Sequence, residues 1–437
     1  MNTFALKGNI CFSTDREHLS FFPHSYVICD NGVCAGVYQK FPDKYIGIPC
    51  IDYKDCLVLP GFTDLHVHAS QYAFRGLGMD LELIDWLNTR TFPEEQKYED
   101  LSYARRAYEI FVHDLLEGAT TRACIFSTVH EESTLLLMEL LEQAGFHAYV
   151  GKVSMDRNCP EHLCEKGAEA AVQAAEHWIR ACADRFHNIK PILTPRFIPS
   201  CTDNLMRGIA FLREKYHLSL QSHLSENLGE IAWVKELCPD VGGYGEAYEK
   251  FGVLEGDQPV IMAHCVHSTP EEAELLKRRG VFVAHCPQSN TNLASGIAPV
   301  RKYLDMGIHV GLGSDIAAGH SLSMFRIMAE AIQCSKLRWR LSDQSLEPLR
   351  VEEAFYLATR GGGAFFGKVG SFEKGFAFDA VVADDSALRS PCHLTLRERL
   401  ERLIYLADDR HIAAKYIAGR AMKGQAEGLP LRKNILA

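Results

Sequence analysis

From Leu59 to about residue 315, short apolar runs alternate with longer stretches in which apolar positions recur every three or four residues, the pattern of parallel strand and helix units. Eight apolar runs can be placed, at 58–68, 119–126, 146–155, 189–197, 218–225, 259–267, 280–286 and 307–315. The stretches between them read as amphipathic helices, for example 102–116, 132–144, 165–184 and 270–279. Eight such units predict an α/β fold whose strands close into a (β/α)8 TIM-like barrel. Outside this region the rhythm changes. Short strands are expected at 8–12 and 25–30, the second closed by the hairpin signal Asn31-Gly32, and β character returns at 378–383 and 412–420 after Gly361-Gly362-Gly363. The expected organisation is a barrel over 59–368 and a small, discontinuous β-sandwich domain formed from both termini, 1–58 and 369–437.

Composition narrows the functional classes. With 47% hydrophobic and 23% charged residues the chain reads as an ordinary soluble globular protein, and no apolar stretch approaches the roughly 20 residues that span a bilayer. The first 19 residues carry Lys7, Asp15, Arg16 and Glu17 and no signal-peptide apolar core, so a cytoplasmic location without a membrane partner is expected. Fifteen cysteines, an odd number with no Cys-x-x-Cys pair, fit reduced thiols better than a disulfide framework. A net charge of −10 disfavours nucleic acid as a partner and leaves a small neutral substrate as the easier one.

Candidate chemistry gathers at the ends of the apolar runs. The first run ends Leu65-His66-Val67-His68, and the period of two in a strand puts both histidines on one face. With 19 histidines in the chain about one His-x-His arises by chance, so the position matters more than the motif: in parallel α/β folds chemistry collects at the carboxyl ends of strands. The fifth run ends Ser222-His223-Leu224-Ser225-Glu226, the sixth carries His264, and the eighth ends Ser314-Asp315. Polar residues closing strands one, five, six and eight would converge on one mouth. Three histidines and an aspartate suit zinc or another borderline divalent ion with room for water, and Glu226 stands near enough to reach that water or a substrate without being a ligand. No lysine closes the fourth run, which reads Thr194-Pro195-Arg196-Phe197, so one metal rather than a bridged pair is expected. Lys152 reads as an ordinary ion-pair partner.

At this point the motifs carry a resemblance. Pro60-Gly61-Phe62-Thr63-Asp64-Leu65-His66-Val67-His68, Ser222-His223-Leu224-Ser225-Glu226, Met262-Ala263-His264 and Gly311-Leu312-Gly313-Ser314-Asp315, in this order, resemble the metal-dependent amidohydrolase superfamily and its aminohydrolase branch. His68-Ala69-Ser70-Gln71-Tyr72, Asp85-Trp86-Leu87, Thr91-Phe92-Pro93, Val150-Gly151-Lys152-Val153, Thr194-Pro195-Arg196-Phe197 and Tyr405-Leu406-Ala407-Asp408-Asp409-Arg410 are similar to its guanine-deaminating members. The resemblance runs from about 59 to 420. It implies one zinc ion per chain on His66, His68, His223 and Asp315, with iron accepted by the same ligand set. It implies that His264 and Asp315 flank the attacking hydroxide, that Glu226 shuttles the proton, and that Gln71, Arg196 and Phe197 grip the purine. The implied reaction is hydrolytic deamination of guanine to xanthine and ammonia, in a homodimer.

Each implied role agrees with the residue that would fill it. A guanidinium fork suits the O6 and N7 acceptors of guanine, and Phe197 can stack on the ring. Ser314 stands where such members often carry Thr and keeps the hydroxyl. The alternative on the same scaffold is an aminohydrolase of an oxidised purine, a pterin or a triazine; the alternative from another class, a non-catalytic scaffold protein, is opposed by the complete ligand set. His130-Glu131-Glu132 lacks a later Pro-Cys-x-x-Cys, which excludes the zinc deaminases that act on flipped bases. His267 and His285 are expected to be structural or to support the ligands, and His320 to be a loop residue.

Overall fold

Asn31 and Gly32 both adopt positive φ, 51° and 84°, as a tight hairpin turn with the right-handed twist of its strands requires. They join β2 (Leu19–Asp30) to β3 (Val33–Tyr38). β1 (Thr3–Ser13) pairs antiparallel with β2 and parallel with β4 (Cys50–Pro60). The computed structural model describes residues 3–423; residues 1–2 and 424–437 of the expected terminal domain lie outside them. The other end of the chain enters the same sheet.

β15 (Ala380–Ala383), β16 (Ile412–Ile417) and β17 (Arg420–Lys423) complete the order β17-β16-β15-β4-β1-β2-β3. This sheet is continuous in its hydrogen bonding and curls until Cys34 N donates to Phe376 O at 2.7 Å and Phe378 N to Gly32 O at 2.8 Å. Alternation along the strands feeds two cores: Phe4, Leu6, Ile10, Phe12 and Val58 pack with Phe372, Phe378 and Tyr416, whereas Cys11, Leu57 and Leu59 join the main core.

The expected single strand over 58–68 is broken. Leu59 and Pro60 stay in the terminal sheet, opposite Val381 and Ala380, and β5 (Phe62–His68) starts a different sheet with Phe62 beside Thr120. Gly61 makes the crossing because there is no room for a side chain: a Cβ there would lie 2.1 Å from Thr121 Oγ1. Gly61→Ala is expected to destabilise the protein by about 1–3 kcal/mol, the usual cost of forcing atoms into a packed site, and thermal unfolding of the variant beside the wild type measures it.

Two four-stranded parallel sheets carry the α/β part. One has the order β5, β6 (Thr120–Phe126), β7 (His147–Gly151) and β9 (Ile189–Pro191). The other has β11 (Leu220–Leu224), β12 (Val260–His264), β13 (Phe282–His285) and β14 (His309–Leu312). The expected third and fourth strands are interrupted at Lys152 and at Ile192-Leu193, and their distal pieces, β8 (Val153–Ser154) and β10 (Thr194–Pro195), pair with each other. Backbone hydrogen bonds join the two sheets at both seams. Gln221 N donates to Leu193 O at 2.9 Å at one; at the other, Asp315 N donates to His66 O at 2.8 Å and His68 N to Ile316 O at 3.2 Å.

Helices fill the intervals, each with a local reason to start or stop. The helix Leu101–Glu117 begins where the Asp100 side chain accepts from Ser102 N, and Pro270–Arg279 ends at Gly280 with φ of 61°. The two parts of the molecule are pinned by charge. Arg122 on β6 donates twice to Asp379, at 2.6 and 3.0 Å, and the buried Lys415 of β16 donates to the carbonyls of Leu115, Gly118 and Thr120. No helix among the described residues is long and apolar enough to cross a membrane.

Candidate active site

β12, β13 and β14 end sooner than their apolar runs do, and the backbone at the strand ends is unusual. Ser225, His264, Cys265 and Asp315 all have positive φ, between 46° and 74°, a left-handed conformation; His264 and Asp315 face the pocket, whereas Ser225 donates to Glu272 and Cys265 packs into the core. His66 and His68 reach the same place from β5 by simple alternation. His66 Nε2 and His68 Nε2 stand 3.2 Å apart, His68 Nε2 and His223 Nε2 3.3 Å, and Asp315 Oδ1 lies 3.1 and 3.4 Å from the first two.

These spacings suit a shared cation. Four ligand atoms placed tetrahedrally at 2.0–2.1 Å from zinc lie about 3.3–3.4 Å from one another. The donors are also in the right form. His223 Nδ1 donates to Arg196 O at 2.7 Å, which leaves its Nε2 lone pair facing the cluster. Burial, reinforced by neighbouring imidazoles, holds His68 and His223 well below the usual histidine range, so both are neutral. Burial pushes the Asp315 carboxyl up, but His66, with its hydrogen bond, and His264 more than reverse it and keep Asp315 ionised.

His264 and Glu226 stand at the edge of the cluster. His264 Nε2 is 3.7 Å from Asp315 Oδ2 and 3.4 Å from Glu226 Oε2, while its Nδ1 is paired with Asn290 Oδ1 at 2.9 Å. Burial first, and the Asp315 charge second, push Glu226 well above the usual carboxyl range, which makes it a stronger base than an exposed carboxylate.

A pocket opens onto these groups. Gln71, Arg196 and Phe197 line it together with Leu83, Trp86 and Leu87, so the predicted purine contacts do come together beside the cluster. Arg196 Nη1 donates to Glu95 Oε2 at 2.7 Å, and Gln71 Nε2 donates to Glu95 Oε1 at 3.0 Å. The guanidinium lies over the Phe92 ring at 5.2 Å.

Known proteins resemble this chain along most of its length. The profile of the amidohydrolase family matches residues 57–422. The chain belongs to the amidohydrolase family. The guanine deaminase of Dictyostelium discoideum is 37% identical to this amidohydrolase over 95% of this chain and 97% of its own. That of Escherichia coli is 36% identical over 84% and 83%. Among solved structures, a guanine deaminase from C. acetobutylicum with guanine bound in its active site superposes with a TM-score of 0.93 at 49% identity, covering 96% of this chain and all of the other.

Several residues that shape the site of this amidohydrolase have no signal in the sequence. Glu95 follows directly on Glu94 and both are buried, yet Glu94 turns to Lys97 and Tyr103 and only Glu95 turns to Arg196 and Gln71. Asp64 accepts from His66 N, Ser314 N and the Ser314 hydroxyl, so it ties the strand that carries two histidines to the one that ends at Asp315. The hydroxyl that Ser314 shares with threonine is therefore in use.

The remaining histidines divide. His267 donates to Ser295 O at 2.7 Å, and Ser295 Oγ lies 3.5 Å from Glu226 Oε1. His285 is fully buried and pushed down to about 3 by burial and by His264. His320 is exposed beside Asn292. Lys152 pairs with Glu165 at 2.7 Å.

Proposed function

We propose that the chain catalyses hydrolytic deamination of guanine to xanthine and ammonia. The observation that carries this reading is the Arg196 and Gln71 wall facing the same pocket as Glu226, His264 and the His66, His68, His223 and Asp315 cluster. The N–H groups of Arg196 not used by Glu95 suit O6 and N7 of guanine, and Phe197 offers its ring to the base. The family resemblance to guanine deaminases supports the same substrate.

His66, His68, His223 and Asp315 would hold a single zinc ion, or iron in its place. Bound there, the cation supplies the acidity that brings the pKa of water from 15.7 to about 7. The side chains do the rest. His264 Nε2 and Asp315 Oδ2 orient the attacking oxygen at C2, Glu226 takes the proton of the water and places it on the adjacent ring nitrogen, and the C2 amino group leaves as ammonia after a second proton transfer. Water adds, ammonia departs, and no redox partner is needed.

The finer architecture follows the same reading: a (β/α)8 barrel from Gly61 to about 368, with the residues before and after it forming a β-sandwich. The hydrogen-bonded seams at Leu193 and at Asp315 support closure of the barrel. A homodimer and a cytoplasmic location complete the proposal, the latter supported by cysteines buried as thiols in the core, such as Cys124, Cys265 and Cys286.

An ammonia-release assay over guanine, adenine, oxidised purines, pterins and triazines tests the substrate, with guanine expected to be turned over fastest. Metal analysis of the purified protein is expected to give close to one divalent ion per chain, because Lys152 is committed to Glu165 and, among the described residues, no lysine lines the pocket at the cluster to bridge a second ion. Two tightly bound ions per chain would contradict the proposed site.

A further inference from the structure

Glu95 has no place in the reaction as described, yet it is 1% exposed and spends both carboxylate oxygens on the two side chains that read the purine. Its partners are equally dry, Arg196 at 3% and Gln71 at 2%. A guanidinium this deep is costly unless an opposite charge accompanies it, and the pair as a whole is neutral. Gln71 is held from both ends, because its Oε1 also accepts from Ala317 N at 3.2 Å. Other ionisable groups near the pair are His68 and Glu226 across the pocket on the Arg196 side, and Tyr98, Tyr108 and His130 on the Glu95 side.

This balance bears on which ring the pocket retains. Guanine is neutral near pH 7. Xanthine carries a carbonyl where guanine carries an amino group, which makes its ring N–H more acidic, so part of it is an anion at neutral and mildly alkaline pH. An unaccompanied guanidinium would hold that anion. A guanidinium already neutralised by Glu95 would not.

We propose that Glu95 is a positioning and specificity-determining residue, which aims Arg196 and Gln71 at the base and keeps their wall neutral, so that the pocket takes a neutral purine and releases the anionic product. The inference rests on the guanine reading above and assigns Glu95 no contact with the reacting atoms.

Steady-state kinetics on guanine and inhibition by xanthine, measured from about pH 6 to 9 with metal content in parallel, test it in wild type, Glu95→Gln and Glu95→Asp. In wild type, xanthine should inhibit less as pH rises through its ionisation. Glu95→Gln should raise the KM for guanine roughly tenfold or more with a smaller change in kcat, because the two donors lose their aim. In the same variant xanthine inhibition should tighten by roughly tenfold on the alkaline side, where loss of the partner charge leaves Arg196 free to pair with the anion. Glu95→Asp keeps the charge and should keep the wild-type pH trend while KM rises.

Equal xanthine inhibition in Glu95→Gln and wild type at every pH overturns the proposal. So does tighter binding of the xanthine anion than of neutral xanthine by the wild type, a measurement that stands even if Glu95→Gln fails to fold. Absence of guanine turnover by metal-replete wild type is a different failure: it removes the guanine reading and this inference with it.

Discussion

Glu226→Gln is expected to keep its metal and lose turnover by about 10²–10⁴-fold, the usual contribution of a positioned proton-transfer group. The side chain is buried, 3.4 Å from His264 Nε2 and 3.5 Å from Ser295 Oγ, at the edge of the ligand cluster rather than within it. Glutamine has the same shape and can hydrogen-bond, but it can neither accept the proton of water nor deliver one to a ring nitrogen. The pocket walls and the four ligands are untouched, so the KM for guanine should change far less than kcat. Ammonia release together with metal analysis reads both quantities. Loss of the metal in this variant would place Glu226 among the ligands and sink its role as the shuttle.

Arg196→Ala is expected to lower kcat/KM for guanine by about 10²–10³-fold with the metal retained, in line with removing one partner of a buried, charged contact. The metal should survive because Arg196 supports His223 through its backbone carbonyl, which alanine retains. Adenine should remain a poor substrate of both proteins. Its amino group is a donor where guanine offers O6, so the guanidinium N–H groups not used by Glu95 would be left unpaired at a cost of about 1–3 kcal/mol or more.

The variant also isolates Glu95 in a dry pocket. Stability should therefore fall with activity, and the double variant Arg196→Ala, Glu95→Gln should recover stability without recovering turnover. Ammonia release from guanine and adenine at equal metal content, with thermal unfolding of the same samples, separates the two effects. Wild-type turnover of guanine by Arg196→Ala would remove the main physical support for guanine as substrate.

Both expectations use residues that can be found in the chain by inspection, and the reason is local geometry. His66 and His68 share a face because a strand has a period of two, and His223, His264 and Asp315 stand out because polar groups closing apolar runs have no packing role. Arg196 and Phe197 close such a run. Gly361-Gly362-Gly363 marks where the βα rhythm stops, and the strands that follow share a sheet with those of the N-terminus. Apart from that shared sheet, these features depend on neighbours within a few residues, so the amino-acid sequence by itself determines them.

The tertiary structure decided what depends on distant partners. Nothing near Glu95 in sequence separates it from Glu94; its meaning comes from Arg196, 101 positions away. Asp64 and Ser314 meet across 250 positions, and Arg122 meets Asp379 across 257. The break in the expected 58–68 strand follows from distant partners, Val381 and Ala380 pairing with Leu59 and Pro60 while Thr120 pairs with Phe62. Where an apolar run ends is a matter of composition. Where the strand ends is decided in the fold: β12 closes at the left-handed backbone of His264 and Cys265, whose strain is offset by contacts with other strands and cannot be read along the chain.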